Sequence, residues 1–208
     1  DFYDKFEAND KRRGDSYTGV TNVSGLRVGL LFGQQFNQNG VALKDRKNNP
    51  LSFTKEVKLK ETGNNLEVTG IRVVKYPPDY NSGDNVNNDY VFFRLADVLL
   101  MKAEAILRGG TATNVAPYGG SALAIVNYIR THPSRGASSL PSLNLDQLLD
   151  ERGRELYWEG WRRNDLIRFG KFLNAWQEKP ASGPERLLFP IPNRALAANP
   201  NLTQNPGY

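Results

Sequence analysis

A chain of 208 residues with 39% hydrophobic residues can fold as one large domain or two small ones. The absence of cysteine excludes disulfides, thiolate metal sites and cysteine nucleophiles, while 12 prolines and 19 glycines indicate regular elements joined by long connections. The formal net charge of +5 arises from basic residues interspersed with acidic ones, which disfavours nucleic acid binding. No apolar run approaches the roughly 18 residues that a membrane-spanning helix needs.

The sequence pattern of residues 1–89 predicts an irregular segment of β-hairpins and loops. The first 25 residues are polar, with an aromatic cluster at residues 2–7 as their only apolar anchor. Short β-branched and aromatic runs follow, separated by turn sequences. These runs predict strands at residues 26–32, 41–43, 51–53 and 70–76. Residues 77–89 predict a loop, because proline cannot donate to a ladder and Asn, Asp and Gly favour turns.

Residues 90–208 predict a helical region. Ser121 is a suitable N-cap for the second of two helices, and the polar loop between them indicates an antiparallel hairpin of the tetratricopeptide-like kind. A third helix is expected from about Leu145 to Glu159, and a fourth begins near Arg163. The first helix, at residues 91–108, carries a predicted core stripe of Leu95, Val98, Leu99, Lys102, Ala103 and Ile106.

The tail after residue 176 is rich in proline and predicts an extended segment. Residues 187–192, with the sequence LLFPIP, are too apolar to be left in solvent, so we expect an ordered strap packed across the helices. The expected fold is therefore mainly α with irregular β-hairpins and a Pro-rich ordered tail, in one compact unit.

The most informative stretch spans residues 151–168. Glu151, Glu155 and Glu159 recur at i, i+4 and i+8, so their carboxylates share one helical face and would repel one another if uncompensated. Arginine forks bind carboxylates in bidentate fashion, which suits partly buried pairs between helices. We therefore predict a structural charge network formed by Glu151, Arg152, Glu155, Glu159, Arg162, Asp165 and Arg168.

This stretch resembles the ER-x-x-EL-x-x-EG-x-R-x-x-DL-x-R signature of the SusD/RagB family. Residues 93–105 are similar to the family's R-x-AD-x-LLM-x-AEA helix, and Asn127 to Arg130 fit its N-x-x-R element. The ending, with FPIP at residues 189–192 and NPNLTQNPGY at residues 199–208, is similar to the usual family terminus. The four motifs occur in order over about 120 residues, whereas residues 1–76 fit more loosely.

The resemblance implies a SusD-like fold with tetratricopeptide-like helical pairs. It also implies a lipoprotein of the outer membrane, exposed at the cell surface, that binds a glycan or other nutrient for a SusC-like TonB-dependent transporter, with no catalysis, cofactor or metal. The lipidated cysteine and most helical pairs of the family are missing from the sequence, which also begins without an initiator Met. We therefore expect a carboxy-terminal portion cut from a longer chain, which could not be anchored by itself.

Sugar sites commonly combine an aromatic platform with amide and acid side chains. Tyr76, Tyr80 and Asn81 offer this mixture in one loop, and Tyr118 lies in the other long loop. An ordinary polar turn is the alternative interpretation of both loops. No ligand residue is carried over from the family, because ligand contacts vary among its members.

Two other functions remain open at this point. The chain could be a purely structural or docking fragment, with the ligand contacts in a missing amino-terminal part. It could also be a glycoside hydrolase that uses Glu151 and Glu155, since two carboxyl groups about 5–9.5 Å apart are what that reaction needs. Nearby arginines disfavour this reading because they would lower both pKa values and remove the general acid. The single histidine, His132, provides neither a triad nor a metal site.

Overall fold

The computed structural model describes residues 2–63, 66–77, 79, 82 and 85–208. Its regular structure is mainly helical with small antiparallel sheets, which confirms the predicted fold class. Across the described ranges, no helix is both long and apolar enough to cross a lipid bilayer. The α-helices are α1 (Thr21–Ser24), α2 (Leu95–Leu107), α3 (Ala122–Thr131), α4 (Leu145–Leu156), α5 (Arg162–Arg168) and α6 (Asn193–Ala198).

The strands are short and form a three-stranded sheet in the order β1-β2-β5 and a two-stranded sheet of β3 and β4. Gly29 in the central strand β2 lies opposite Gly14 on one side and Val74 on the other. A Cβ atom at position 29 would lie 2.8 Å from the Cα atom of Gly14, so the pairing requires glycine there. The strands are β1 (Gly14–Asp15), β2 (Val28–Leu31), β3 (Gly33–Gln34), β4 (Ser52–Phe53) and β5 (Arg72–Val74).

Three of the four predicted strands coincide with β2, β4 and β5. The fourth, at residues 41–43, is wrong: Ala42 forms only an isolated bridge with Phe36. The turn of residues 37–41 explains this difference, because the side chain of Asn37 accepts hydrogen bonds from the backbone N–H groups of Asn39 and Val41. Such side-chain bonds compete with a regular ladder.

Helices α2, α3 and α4 enclose the main core. Leu100, Ala103, Ile125, Val126 and Leu148 are fully buried there. The alanines of α2 allow close approach of the neighbouring helices, because a small side chain lets two backbones lie near each other.

The predicted core stripe of α2 is partly wrong. Leu95 and Val98 are 57% and 50% exposed, whereas Ala96 and Leu100 lie in the core. The buried positions 96, 99, 100 and 103 keep the helical period but are rotated toward the alanines. Sequence periodicity could not choose between the two sides, because α2 is apolar on both.

Local capping explains where the helices begin and end. Ser121 caps α3 as predicted by accepting a hydrogen bond from the N–H of Ala124. Asn144 and Gln147 form a reciprocal capping box at the start of α4. That helix ends before the predicted Glu159, since Trp158 adopts a left-handed conformation with φ 61°.

The tail is ordered but is neither extended throughout nor buried against the helices. It contains a 3-10 turn at Pro184–Leu187 and the helix α6, and Phe189 is 68% exposed. Arg163 holds it by stacking 4.1 Å from the Phe189 ring centroid. The backbone of the tail is hydrogen-bonded largely within the tail. The side chain of Gln204 accepts a hydrogen bond from the N–H of Ile191 and donates one to its carbonyl. The tail is therefore ordered, as predicted, but its apolar residues 187–189 are exposed rather than packed across the helices.

Candidate functional site

Glu151 lies fully buried on α4, bound by three guanidinium groups. Arg12 Nη1 and Arg130 Nη1 each donate at 2.7 Å, and Arg154 Nη2 donates at 2.8 Å. Burial by itself would raise the pKa of Glu151, but the positive charges of these arginines hold it below its ordinary 4.5. The carboxylate therefore joins the amino-terminal segment and α3 to α4.

Glu155, one turn further along α4, is bound in the same way. Arg12 Nη1 donates at 2.9 Å, Arg94 Nη1 at 2.6 Å and Arg135 Nη2 at 2.7 Å. Burial opposes ionisation of this group, but hydrogen bonds from Arg135 and the charges of Arg94 and Arg12 lower the pKa of Glu155 to about 2. It is an anion at every physiological pH.

Glu159 completes the row beyond the end of α4. Arg94 binds it in bidentate fashion, with Nε at 2.8 Å and Nη2 at 2.9 Å. Lys75 Nζ lies 2.5 Å from its Oε1 atom and 4.3 Å from the ring centroid of Tyr157. Burial lowers the pKa of Lys75 to about 8, with Glu159 acting in the opposite direction.

A second group of charges fastens α2, α4 and α5 together. Arg152 Nε donates to Asp165 at 2.9 Å, and its Nη2 donates to Asp97 at 3.0 Å. Arg168 bridges Asp165 at 2.7 Å and Glu104 at 2.8 Å. Three of these side chains, Arg152, Asp97 and Asp165, are almost completely buried.

The structure places Arg162 differently from the prediction. Its Nη1 donates at 2.8 Å to the backbone carbonyl of Leu149, and in the part of the chain that the structure describes it pairs with no carboxylate. Burial lowers its pKa, with Asp150 and Asp165 acting against that effect. Arg162 is the first residue of α5, and its guanidinium lies against Gly153, where a Cβ atom would come within 2.9 Å of Nη1. Glycine at position 153 thus leaves room for Arg162 to reach the α4 backbone.

Sequence reasoning missed half of the charge network. Most of the partners that it did not assign, all named above, stand in the motifs that carry the family resemblance or in the basic run at residues 11–13, whereas Lys75 and Arg135 lie outside them. The unassigned partners are Arg12, Lys75, Arg94, Asp97, Glu104, Arg130, Arg135 and Arg154. The motifs are thus connected physically, because arginines of one neutralise acids of another.

This arrangement is poorly suited to acid–base chemistry. A glycosidase needs one carboxyl group that stays protonated near neutral pH. Glu151 and Glu155 are each bound by three arginines and have lowered pKa values, so neither can donate a proton. Among the residues with described positions, no cluster of His, Asp and Glu side chains could hold a metal ion.

Two of the predicted ligand residues, Tyr76 and Tyr118, lie in different surroundings. Tyr76 is 40% exposed beside the Glu159 end of the charge network, and burial together with the charge of Glu159 raises its pKa. Tyr118 packs edge-on against Tyr128, with ring centroids 5.0 Å apart, at the rim of the helical core. Tyr80 and Asn81 lie outside the described residues. Their role in binding stays a prediction.

Comparison with known proteins identifies the chain's relatives. The SusD family profile matches residues 1–208. The starch-binding protein SusD of Bacteroides thetaiotaomicron is 32% identical over 154 residues, which cover 67% of this chain and 26% of that protein. The SusD-like protein P38 of Formosa agariphila is 32% identical over 149 residues, covering 66% and 28% of the two chains. The chain thus spans about a quarter of the length of these relatives.

Solved structures agree on the fold. The surface glycan-binding protein A from Bacteroides uniformis superposes with a TM-score of 0.59 over 98% of this chain and 39% of its own, at 23% identity. A SusD-like protein from Bacteroides fragilis gives a TM-score of 0.61 over 100% of this chain and 46% of its own, at 21% identity. The family match over the whole chain and the shared fold lead to one conclusion: this chain belongs to the SusD family.

Proposed function

We propose that this protein is the glycan- or nutrient-binding component of an outer-membrane uptake system and that it binds its cargo without changing it. The observation that carries the proposal is the family match over residues 1–208, supported by 32% identity to a starch-binding relative. The proposal includes a lipid-anchored position at the cell surface and a SusC-like TonB-dependent transporter as partner.

The charge network supports a binding role over a hydrolytic one. Its carboxylates form ion pairs with arginines from separate segments of the chain. Such pairs are expected of a scaffold that fixes these segments relative to one another. We assign the network a structural role and no contact with cargo. Tyr76, Tyr80, Asn81 and Tyr118 remain the proposed cargo contacts of the two long loops.

A glycan panel tests this proposal. The complete protein is applied to immobilised neutral and acidic oligosaccharides, and the bound sugars are recovered and weighed by mass spectrometry. We expect binding to at least one class of glycan and recovery at unchanged mass. Recovery of sugars at a lower mass would establish a glycosidase instead, and the absence of binding to every glycan and peptide would refute the proposal.

A purely structural or docking function is the second candidate, and one observation favours it. The outer side of α2 and the residues before it form an apolar surface with exposures between 42% and 66%. Its members are Phe92, Phe93, Leu95, Val98 and Met101. A contiguous exposed apolar surface of this kind is typical of a contact with another protein segment.

Tyrosine variants separate the two candidates. Tyr80→Ala and Tyr118→Ala should each weaken glycan binding if the long loops contact cargo, because a lost aromatic platform removes stacking on the sugar ring. Tyr17→Ala is the matched control, since Tyr17 is an exposed tyrosine outside both long loops. Unchanged affinity in both loop variants, with circular dichroism showing intact folding, would favour the docking function.

A further inference from the structure

A cavity of about 530 Å³ lies in the amino-terminal half, apart from the long loops and the helical core. Its walls come from the turn at Tyr3–Lys5, from β2 and β3, and from the loop of residues 35–40. The volume falls within the range of about 300–1,000 Å³ that is usual for small-ligand sites. Nothing in the charge network or the family motifs requires this space.

Aromatic rings form one wall of the cavity. Tyr3 and Phe32 lie with their ring centroids 5.2 Å apart, and Phe32 and Phe36 are 42% and 47% exposed. The loop that carries Phe36 is fixed against Gly25, where a Cβ atom would lie 2.4 Å from the carbonyl oxygen of Phe36. The exposed rings are therefore held in position, as a stacking platform requires.

The cavity lining includes Arg13, a cation that stacks on one of these rings. Arg12 and Arg13 are adjacent, but Arg12 turns into the charge network, whereas Arg13 stacks 4.5 Å from the ring centroid of Tyr3. Among the described residues, the half-buried guanidinium of Arg13 has no carboxylate, carbonyl or hydroxyl partner. A stacked guanidinium with its N–H donors available is a preformed receptor for an anion that presents two oxygens side by side.

The other charges at the cavity are already compensated. Asp10 is buried and accepts hydrogen bonds from Nε and Nη2 of Arg12 at 2.9 and 2.7 Å. Arg27 lies 3.6 Å from Asp15 and is half exposed. The local field is therefore positive at Arg13 and attracts an anionic group.

Two amide side chains, Gln34 and Gln35, also line the cavity. Gln34 donates to the carbonyls of Gln35 and Leu43, each at 2.8 Å, and Gln35 donates to the carbonyl of Gly33 at 2.8 Å. These bonds fix both amides and leave their oxygens as acceptors for ligand hydroxyls. Rings, fixed acceptors and one free guanidinium together match a sugar that carries an acidic group.

We infer that this cavity binds the acidic sugar of an anionic glycan, with its carboxylate or sulfate on Arg13 and its ring against Phe32 and Phe36. The inference rests on the proposed glycan-binding function and names the class of cargo that it would take. Carboxylate and sulfate present the same paired oxygens to a guanidinium, so the test includes both.

The test measures the affinity of the complete protein by calorimetry for matched sugars. One arm compares oligogalacturonides, oligoalginates and glucuronate oligomers with their carboxyl-reduced forms, and the other compares sulfated galactans with their desulfated forms. We expect at least one acidic form to bind about tenfold or more tightly than its neutral counterpart, since one charge-assisted hydrogen-bonded pair contributes that much. The arm that shows the preference identifies the acidic group.

Variants assign the preference to the cavity. Arg13→Gln should abolish the discrimination while binding of the neutral counterpart persists, and Phe36→Ala should weaken both forms. Arg27→Gln is the matched control, because it removes the same charge from the same wall where that charge is already paired. Equal losses in Arg13→Gln and Arg27→Gln would reduce the effect to general electrostatics and overturn the inference.

Failure of the inference and failure of the proposed function are distinguishable. Tight binding of neutral glycans with no preference in either arm overturns the acidic-sugar site and leaves the glycan-binding function standing. No binding of any glycan, neutral or acidic, overturns both.

Discussion

Glu151→Gln is the substitution that most sharply tests the structural role of the charge network. It keeps the shape of the side chain but removes the anion that three guanidinium groups share at 2.7 to 2.8 Å. Arg130 is itself almost fully buried, and among the described residues it keeps only the partly exposed Glu7 as a carboxylate partner after the change. Removing one member of a buried ion pair destabilises a protein by about 3–5 kcal/mol. Since a domain is stable by about 5–15 kcal/mol, this loss is a large share of the total.

The adjacent Asp150→Asn is the matched control. Asp150 pairs with Lys5 at 2.7 Å, but both side chains are well exposed, at 31% and 41%. Exposed pairs contribute about 0–1 kcal/mol, so this variant should unfold close to the wild type. Urea titration followed by circular dichroism measures both free energies of unfolding. A loss below about 1 kcal/mol in Glu151→Gln, equal to that of the control, would contradict a structural role for the network.

Three further predictions concern acid stability, capping and the orientation of α2. The pKa of Glu155 falls from 4.5 to about 2 on folding, so its contribution is fully present above pH 4.5 and is lost as the pH falls through 2. Over that window the wild type should therefore lose about 3 kcal/mol more than Glu155→Gln, which lacks this one contribution, as acid titrations of unfolding will show; parallel curves would contradict this. Ser121→Ala should lower the free energy of unfolding by about 1 kcal/mol, because the N–H of Ala124 loses its acceptor; thermal unfolding measures it, with no shift as the opposing result. Leu100→Ala should cost about 2–5 kcal/mol and the exposed Leu95→Ala less than half of that, and the reverse order would refute the observed orientation of α2.

The helix starts were predicted correctly where neighbouring residues determine them. Ser121 and the start of α4 at Leu145 follow from capping chemistry that a few adjacent residues determine. The end of α4 could not be predicted, because the left-handed turn at Trp158 serves the packing of Glu159 against Arg94, which lies 65 residues away. The hydrophobic periodicity of a sequence does not indicate helix ends that depend on residues far away in the chain.

The charge network shows the same division. Spacing along the helix indicated that Glu151, Glu155 and Glu159 share a face. In the structure Arg12 binds both Glu151 and Glu155, and Arg94 binds both Glu155 and Glu159. Spacing could not indicate that Arg12 would bind two of them, since 139 and 143 residues separate the partners. The role of Arg13 could not be predicted either, because nothing in the sequence distinguishes the paired Arg12 from its unpaired neighbour.

The central claim is that the protein binds a glycan as part of an outer-membrane uptake system. It is tested most directly by purifying the tagged complete protein from solubilised outer membranes of cells grown on the glycan that it binds. Mass spectrometry of the isolated complex identifies both the protein partner and the sugar. A glycan-binding component of an uptake system predicts recovery of a TonB-dependent barrel together with intact glycan. Recovery of neither the barrel nor the glycan, from cells that express both, would contradict it.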